Sequence, residues 1–157
     1  MSQDTYDNTF RLAAPAAEVF AFFERPDAFD LLSPPWAKVE ILEQEGTIRN
    51  GDRKKLKLSL GPLHRIWELV HRDYLAGEQF KDVQKTGPFS HWEHTHRVEP
   101  DGDGCQVVDH IEFALPGGFV GGMLGGSFVK SQLDKLFVFR EQVLRQHFEN
   151  AQSELDR

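Results

Sequence analysis

Apolar and polar residues alternate with a period of two through the first two-thirds of the chain, and turn-forming residues interrupt the alternation at short intervals. The pattern predicts strands over 6–12, 38–44, 53–60, 64–74, 78–85, 89–99 and 105–115. Their separators are Glu45-Gly46, Asn50-Gly51, Gly61-Pro62, Ala76-Gly77, Gly87-Pro88 and Asp101-Gly102-Asp103-Gly104, each supplying a positive φ or a missing donor where the chain reverses. Connections this short make neighbours antiparallel, so a meander of about seven strands is expected. Between the first two strands, Pro15 and the set Val19, Phe20, Phe22 and Phe23 predict a short helix, which Arg25-Pro26-Asp27 breaks. A second short helix over 28–32 ends at Ser33-Pro34-Pro35, because a residue before proline is pushed out of the helical region. From 127 to about 151 the apolar residues Phe128, Leu133, Leu136, Phe137, Val143, Leu144 and Phe148 recur at helical spacing. At ~1.5 Å per residue this helix is about 35 Å long, enough to lie across the concave face of a curved sheet. The expected architecture is α+β, a single domain over 1–157, with a curved antiparallel sheet wrapped around a long C-terminal helix and two short helices after the first strand.

Composition narrows the function classes. A chain of 157 residues with 39% hydrophobic and 27% charged residues is one globular domain. No apolar run approaches the ~18 residues of a membrane span. The opening MSQDTYDNTFRL lacks the basic start and apolar run of a signal peptide, so a cytoplasmic location is expected. The single cysteine, Cys105, can form neither an internal disulfide nor a thiolate metal cluster and reads as a buried structural thiol. With 25 acidic against 18 basic residues, the formal charge of -7 repels a phosphate backbone, so nucleic acid is not an expected partner. The run Arg53-Lys54-Lys55 is too short to reverse that balance and reads as a solvated strand face.

Candidate chemistry concentrates in His91-Trp-Glu-His-Thr-His96. On a strand, Trp92, His94, His96 and Val98 share the inner face, while His91, Glu93, Thr95 and Arg97 face out. The next strand places Cys105, Val107, Asp109, Ile111 and Phe113 inward, and His110 outward. Asp109 is an acid on an otherwise apolar face and needs a partner there. A loop over 100–103 sets His94 opposite Asp109; a two-residue shift sets His96 there instead. By the same parity Phe80 brings Asp82 and Gln84 inward, so a polar patch of Asp82, Gln84, Trp92, His94, His96 and Asp109 is expected. Glu68 joins it if Ile66 and Val70 are inward, but Trp67 and Leu69 alternate against that choice. Such a patch reads as a self-satisfied hydrogen-bond network, as the polar part of a ligand pocket, or as a His/Asp acid–base pair. A zinc site of two histidines and one or two carboxylates is chemically possible, but two histidines at i and i+2 on a strand are too weak a pattern to assign a metal, and no cofactor is expected. The glycines between Pro116 and Ser127 match no phosphate loop. They read as a flexible connection in which Phe119, Val120, Met123 and Leu124 gate a cavity mouth.

The segments Pro15-Ala-Ala-Glu-Val-Phe20, Leu32-Ser-Pro-Pro-Trp36, Gly87-Pro-Phe89, Trp92-Glu-His-Thr-His-Arg97, Asp109-His-Ile-Glu-Phe-Ala-Leu-Pro116 and Gln132-Leu-Asp-Lys-Leu-Phe137 carry a resemblance to the START-like (SRPBCC) superfamily. The chain is most similar to its bacterial stand-alone members related to polyketide cyclase/dehydrase and coenzyme-Q-binding-like domains. The resemblance implies a helix-grip fold with a cavity between sheet and last helix, lined by Trp92, His94, His96 and Asp109 with Phe113, Leu133 and Phe137 opposite or beside them. Leu32-Ser-Pro-Pro-Trp36 is then near one rim. It implies a small hydrophobic or aromatic ligand as partner. The alternatives are a cyclase, dehydratase or hydrolase using a His/Asp pair, and a chaperone-cofactor-like interaction protein with a closed cavity.

Overall fold

The computed structural model describes residues 3–60, 62–117 and 122–155. Seven antiparallel strands form one sheet: β1 Asp4–Leu12, β2 Val39–Glu45, β3 Arg53–Leu60, β4 Leu63–Leu75, β5 Gln79–Thr86, β6 His91–Asp101 and β7 Gly104–Ala114. Their order is β1-β7-β6-β5-β4-β3-β2, so β2 to β7 form a meander and β1 closes its far edge. The two short helices, α1 Ala16–Phe23 and α2 Ala28–Leu31, and a 3-10 turn at Pro35–Ala37 carry the chain between the two edges. The register slips at Ile41/Glu43, Glu68/Leu69 and Arg72/Leu75, irregularities of the kind that bend a strand and increase its twist.

The long helix α3, Gly122–Leu155, packs Leu133, Phe137 and Leu144 into the core. It begins at Gly122, not at 127, so the second half of the glycine-rich stretch is helical. Tyr6 pins it to β1: its ring stacks on Phe137 with centroids 5.6 Å apart, and its hydroxyl donates to Asp134 Oδ1 at 2.7 Å. Phe119 and Val120 of the expected gate lie outside the described residues, as do the side chains of Met123 and Leu124.

The apolar core is in two clusters. One gathers α1, the β6–β7 hairpin end and the C-terminal half of α3 around Phe20, Phe23, Phe80, Val98, Val107 and Leu144. The other joins Leu56, Leu69, Trp92, Ile111, Phe113, Leu133 and Phe137. Between them the inner face turns polar.

Candidate functional site

Alternation along four adjacent strands sets the site. β4 turns Trp67, Leu69 and His71 inward, β5 turns Phe80 and Asp82, β6 turns Trp92, His94 and His96, and β7 turns Asp109, Ile111 and Phe113. Glu68 is therefore on the outer face and does not join the patch. The β6–β7 hairpin closes with Asp101 opposite Gly104, which Gly102 permits by its φ of +62°. This turn is two residues shorter than the loop over 100–103. His96 accordingly faces Asp109 and His94 faces Ile111, which corrects the expectation that His94 stands opposite Asp109.

Three histidines and two aspartates form a continuous chain of contacts. His94 Nε2 is 2.8 Å from Asp109 Oδ1, and His96 Nδ1 is 2.9 Å from the same oxygen. His96 Nε2 is 2.9 Å from Asp82 Oδ2, and His71 Nδ1 is 2.7 Å from Asp82 Oδ1. The last contact is short but off the line of a hydrogen bond, and neither ring nitrogen of His71 has a hydrogen-bond partner among the described residues. Side-chain exposure is 3% for His71, 6% for His94, 7% for Asp109, 10% for His96 and 17% for Asp82. Rings enclose the chain: Phe80 stacks on His96 at 4.2 Å, Phe23 lies 6.3 Å from it, and Phe137 and Trp92 meet His94 edge-on at 5.8 and 6.3 Å.

Burial and mutual contact push these groups in opposite directions. Burial, reinforced by His96, lowers His94 to about 4 against the pull of Asp109, so this ring is neutral near pH 7. Burial also acts to lower His96, but its contacts with Asp109 and Asp82 prevail and hold it above the ordinary value. For Asp109 burial acts upward, yet His94 and His96 hold its carboxyl well below the carboxylate range. Asp82 is likewise lowered, with His71 and then His96 overcoming the cost of burial.

The other expected residues divide. Trp92, Phe113, Leu133 and Phe137 lie in the apolar cluster beside the patch. Gln84 does not reach it: its Nε2 donates to the Phe89 carbonyl at 2.7 Å and its Oε1 accepts from the Phe89 N–H at 3.3 Å, bracing the β5–β6 turn. Trp36 packs edge-on against Phe139 and helps line a shallow groove of about 430 Å³ on α3 with Val138 and Gln142. A second hollow of about 110 Å³ lies among Glu43, Lys55, Glu68 and Lys85. Neither of these two described hollows lies between sheet and helix.

Three inward residues escape the sequence reading. His71 was hidden because β4 carries apolar residues on both faces, although Leu69 at i+2 shares its side. Lys54 is 8% exposed, not solvated; it shares the inner face with Leu56 and places Nζ 4.6 Å from the Phe29 ring. Burial lowers its pKa, partly offset by Asp82. Arg140 reaches in from α3, donating from Nε to the Leu32 carbonyl at 3.2 Å. Burial lowers its pKa, while Asp109 and Asp82 act to raise it.

No helix among the described residues is long and apolar enough to cross a membrane. No curated protein matches the chain in sequence. Among solved structures it resembles a START superfamily protein from Mycobacterium smegmatis, with TM-score 0.67, 15% identity, and coverage of 94% of this chain and 98% of that one. The Zhui aromatase/cyclase from Streptomyces sp. R1128 gives 0.65 and 21% identity over 92% and 96% of the two chains. A point mutant of Thalictrum flavum norcoclaurine synthase, in complex with a transition-state analogue, gives 0.58 and 17% over 93% and 97%. These likenesses establish the helix-grip fold. The sequence model of the family described as polyketide cyclase/dehydrase and lipid transport matches residues 3–138, and the chain belongs to that family within the START-like (SRPBCC) superfamily.

Proposed function

We propose that the chain binds a small hydrophobic or aromatic molecule between the inner face of the sheet and α3, oriented by His94, His96 and Asp109. The carrying observation is the seam itself: a buried His/Asp chain set between two apolar clusters and flanked by Trp92, Phe80 and Phe137. Small-molecule sites have this make-up, with apolar walls and a few convergent polar groups that fix orientation. Membership of a cyclase and lipid-transport family supports the reading. So does a neighbour of the same fold in complex with a transition-state analogue.

A catalytic reading has one observation in its favour. His94, lowered by burial, and His96, held toward its protonated form by Asp109 and Asp82, share Asp109 Oδ1, so one carboxylate supports a weaker and a stronger base side by side. That pairing suits general acid–base work such as dehydration.

Native mass spectrometry of the freshly purified chain, followed by titration with an anilinonaphthalene sulfonate probe, tests both readings. Saturable binding of one molecule per chain is expected, weakened about tenfold or more in His94→Ala, a loss of about 1.4 kcal/mol. Binding unchanged in both His94→Ala and Asp109→Asn removes the patch from the ligand site. Turnover lost with binding retained selects the catalytic reading.

A further inference from the structure

We propose that Asp82, His94 and His96, with His71 beside them, form a site for one divalent metal ion of the zinc and cobalt class. One ligand atom from each of Asp82, His94 and His96 lies within 4.8 Å of the others. Bonds of about 2.0–2.2 Å at the tetrahedral angle set two ligands on one ion about 3.3–3.6 Å apart, so a pair at the 4.8 Å limit closes on an ion by moving together a little over ~1 Å.

The hydrogen bonding sets the tautomers required. Asp109 Oδ1 accepts from His94 Nε2 and His96 Nδ1, as the carboxylates behind metal-bound histidines do. The free lone pairs are then on His94 Nδ1 and His96 Nε2. His96 Nε2 faces Asp82 Oδ2 at 2.9 Å, and a lone pair against a carboxylate repels unless a cation stands between them. Without a metal, a proton on His96 Nε2 serves that contact, and an ion bound there displaces it. The His71 imidazole is buried, has neither nitrogen hydrogen-bonded, and lies 2.7 Å from the second oxygen of Asp82. A metal ion held by Asp82, His94 and His96 takes that proton's place, while His71, against the other oxygen of Asp82, orients the carboxylate from behind. Two imidazoles with one carboxylate suit zinc, cobalt, nickel or copper, not magnesium or calcium. Lys54 and Arg140 act on Asp82 as positive charges and oppose the ion without ligating it. The site shares His94 and His96 with the organic-ligand reading but does not require it, because the probe is the metal alone.

The test is titration of the chelator-treated full chain with cobalt(II), read by its visible d–d absorption, and then with zinc. The expected result is one cobalt per chain, displaced by zinc. Affinity should fall at least tenfold in Asp82→Asn and in His94→Ala and stay unchanged in the outer-face variant His110→Ala. Absence of saturable cobalt or zinc binding by the wild-type chain overturns the proposal, whatever the variants do. Binding lost in His91→Ala but retained in Asp82→Asn also overturns it, because it places the ion on the outer trio of His91, Glu93 and Glu112.

Discussion

Strands β6 and β7 carry nearly the same chemistry on their two faces and put it to different use. Outside, His110 Nδ1 lies 2.6 Å from Asp7 Oδ1, a shorter contact than any in the inner chain. Yet those side chains are 39% and 68% exposed, whereas His94 and Asp109 are 6% and 7% exposed. At 4 Å a pair of unit charges interacts by about 1 kcal/mol in water and by about 4 at an effective dielectric of ~20, so burial, not distance, separates the faces. The outer pairs are screened and replaceable by water. The inner groups have only each other, so each depends on its neighbour's protonation.

The largest expected effect is on the inner side. Asp109→Ala leaves His94 and His96 without their shared acceptor and should lower unfolding free energy by about 3–5 kcal/mol, whereas Asp7→Ala should change it by less than about 1 kcal/mol. Urea denaturation of both variants checks the contrast, and equal losses would abolish it. Lys54 tests the cost of burial without a carboxylate partner. It has no ion-pair partner among the described residues, so Lys54→Met should raise stability by about 1 kcal/mol, read as a higher urea midpoint. A lower midpoint would mean that the Phe29 contact outweighs desolvation. The smallest effect belongs to His110, whose pKa is raised by Asp7, against burial, and by Glu112. A raised folded value means that its stabilisation is fully present below about pH 6.5 and lost as pH rises through the folded pKa. Melting temperatures of wild type and His110→Ala should therefore differ at pH 6 and converge by about pH 8. A difference that widens with pH would reverse the assignment.

What alternation could reveal depended on the strand. On β6 and β7, Trp92, Val98, Val107 and Ile111 mark one face plainly, so His94, His96 and Asp109 were legible as inward before any coordinates. On β4, Ile66, Trp67, Leu69 and Val70 put apolar residues on both faces, and parity lost its reference; that is why His71 was missed. Lys54 was obscured by its charged neighbours, although Leu56 shares its face. Parity also says nothing about register, which rests on the length of a turn. Gln84 has the right parity but lies at the strand end, where the Phe89 backbone takes both its amide groups. The start of α3 was hidden because glycine has low helix propensity.

The turn at Gly102 also makes the pairing of the β6–β7 hairpin a carrier of chemical information. A slip of one residue in that pairing turns one strand over, so that Asp109 and the two histidines end on opposite faces. Re-siting the reversal so that 100–103 form the loop, with no residue added, keeps the faces but hands Asp109 from His96 to His94. Among the changes this hairpin can undergo, a shift of register is thus the most consequential, because it reassigns the partner of Asp109 without altering a side chain.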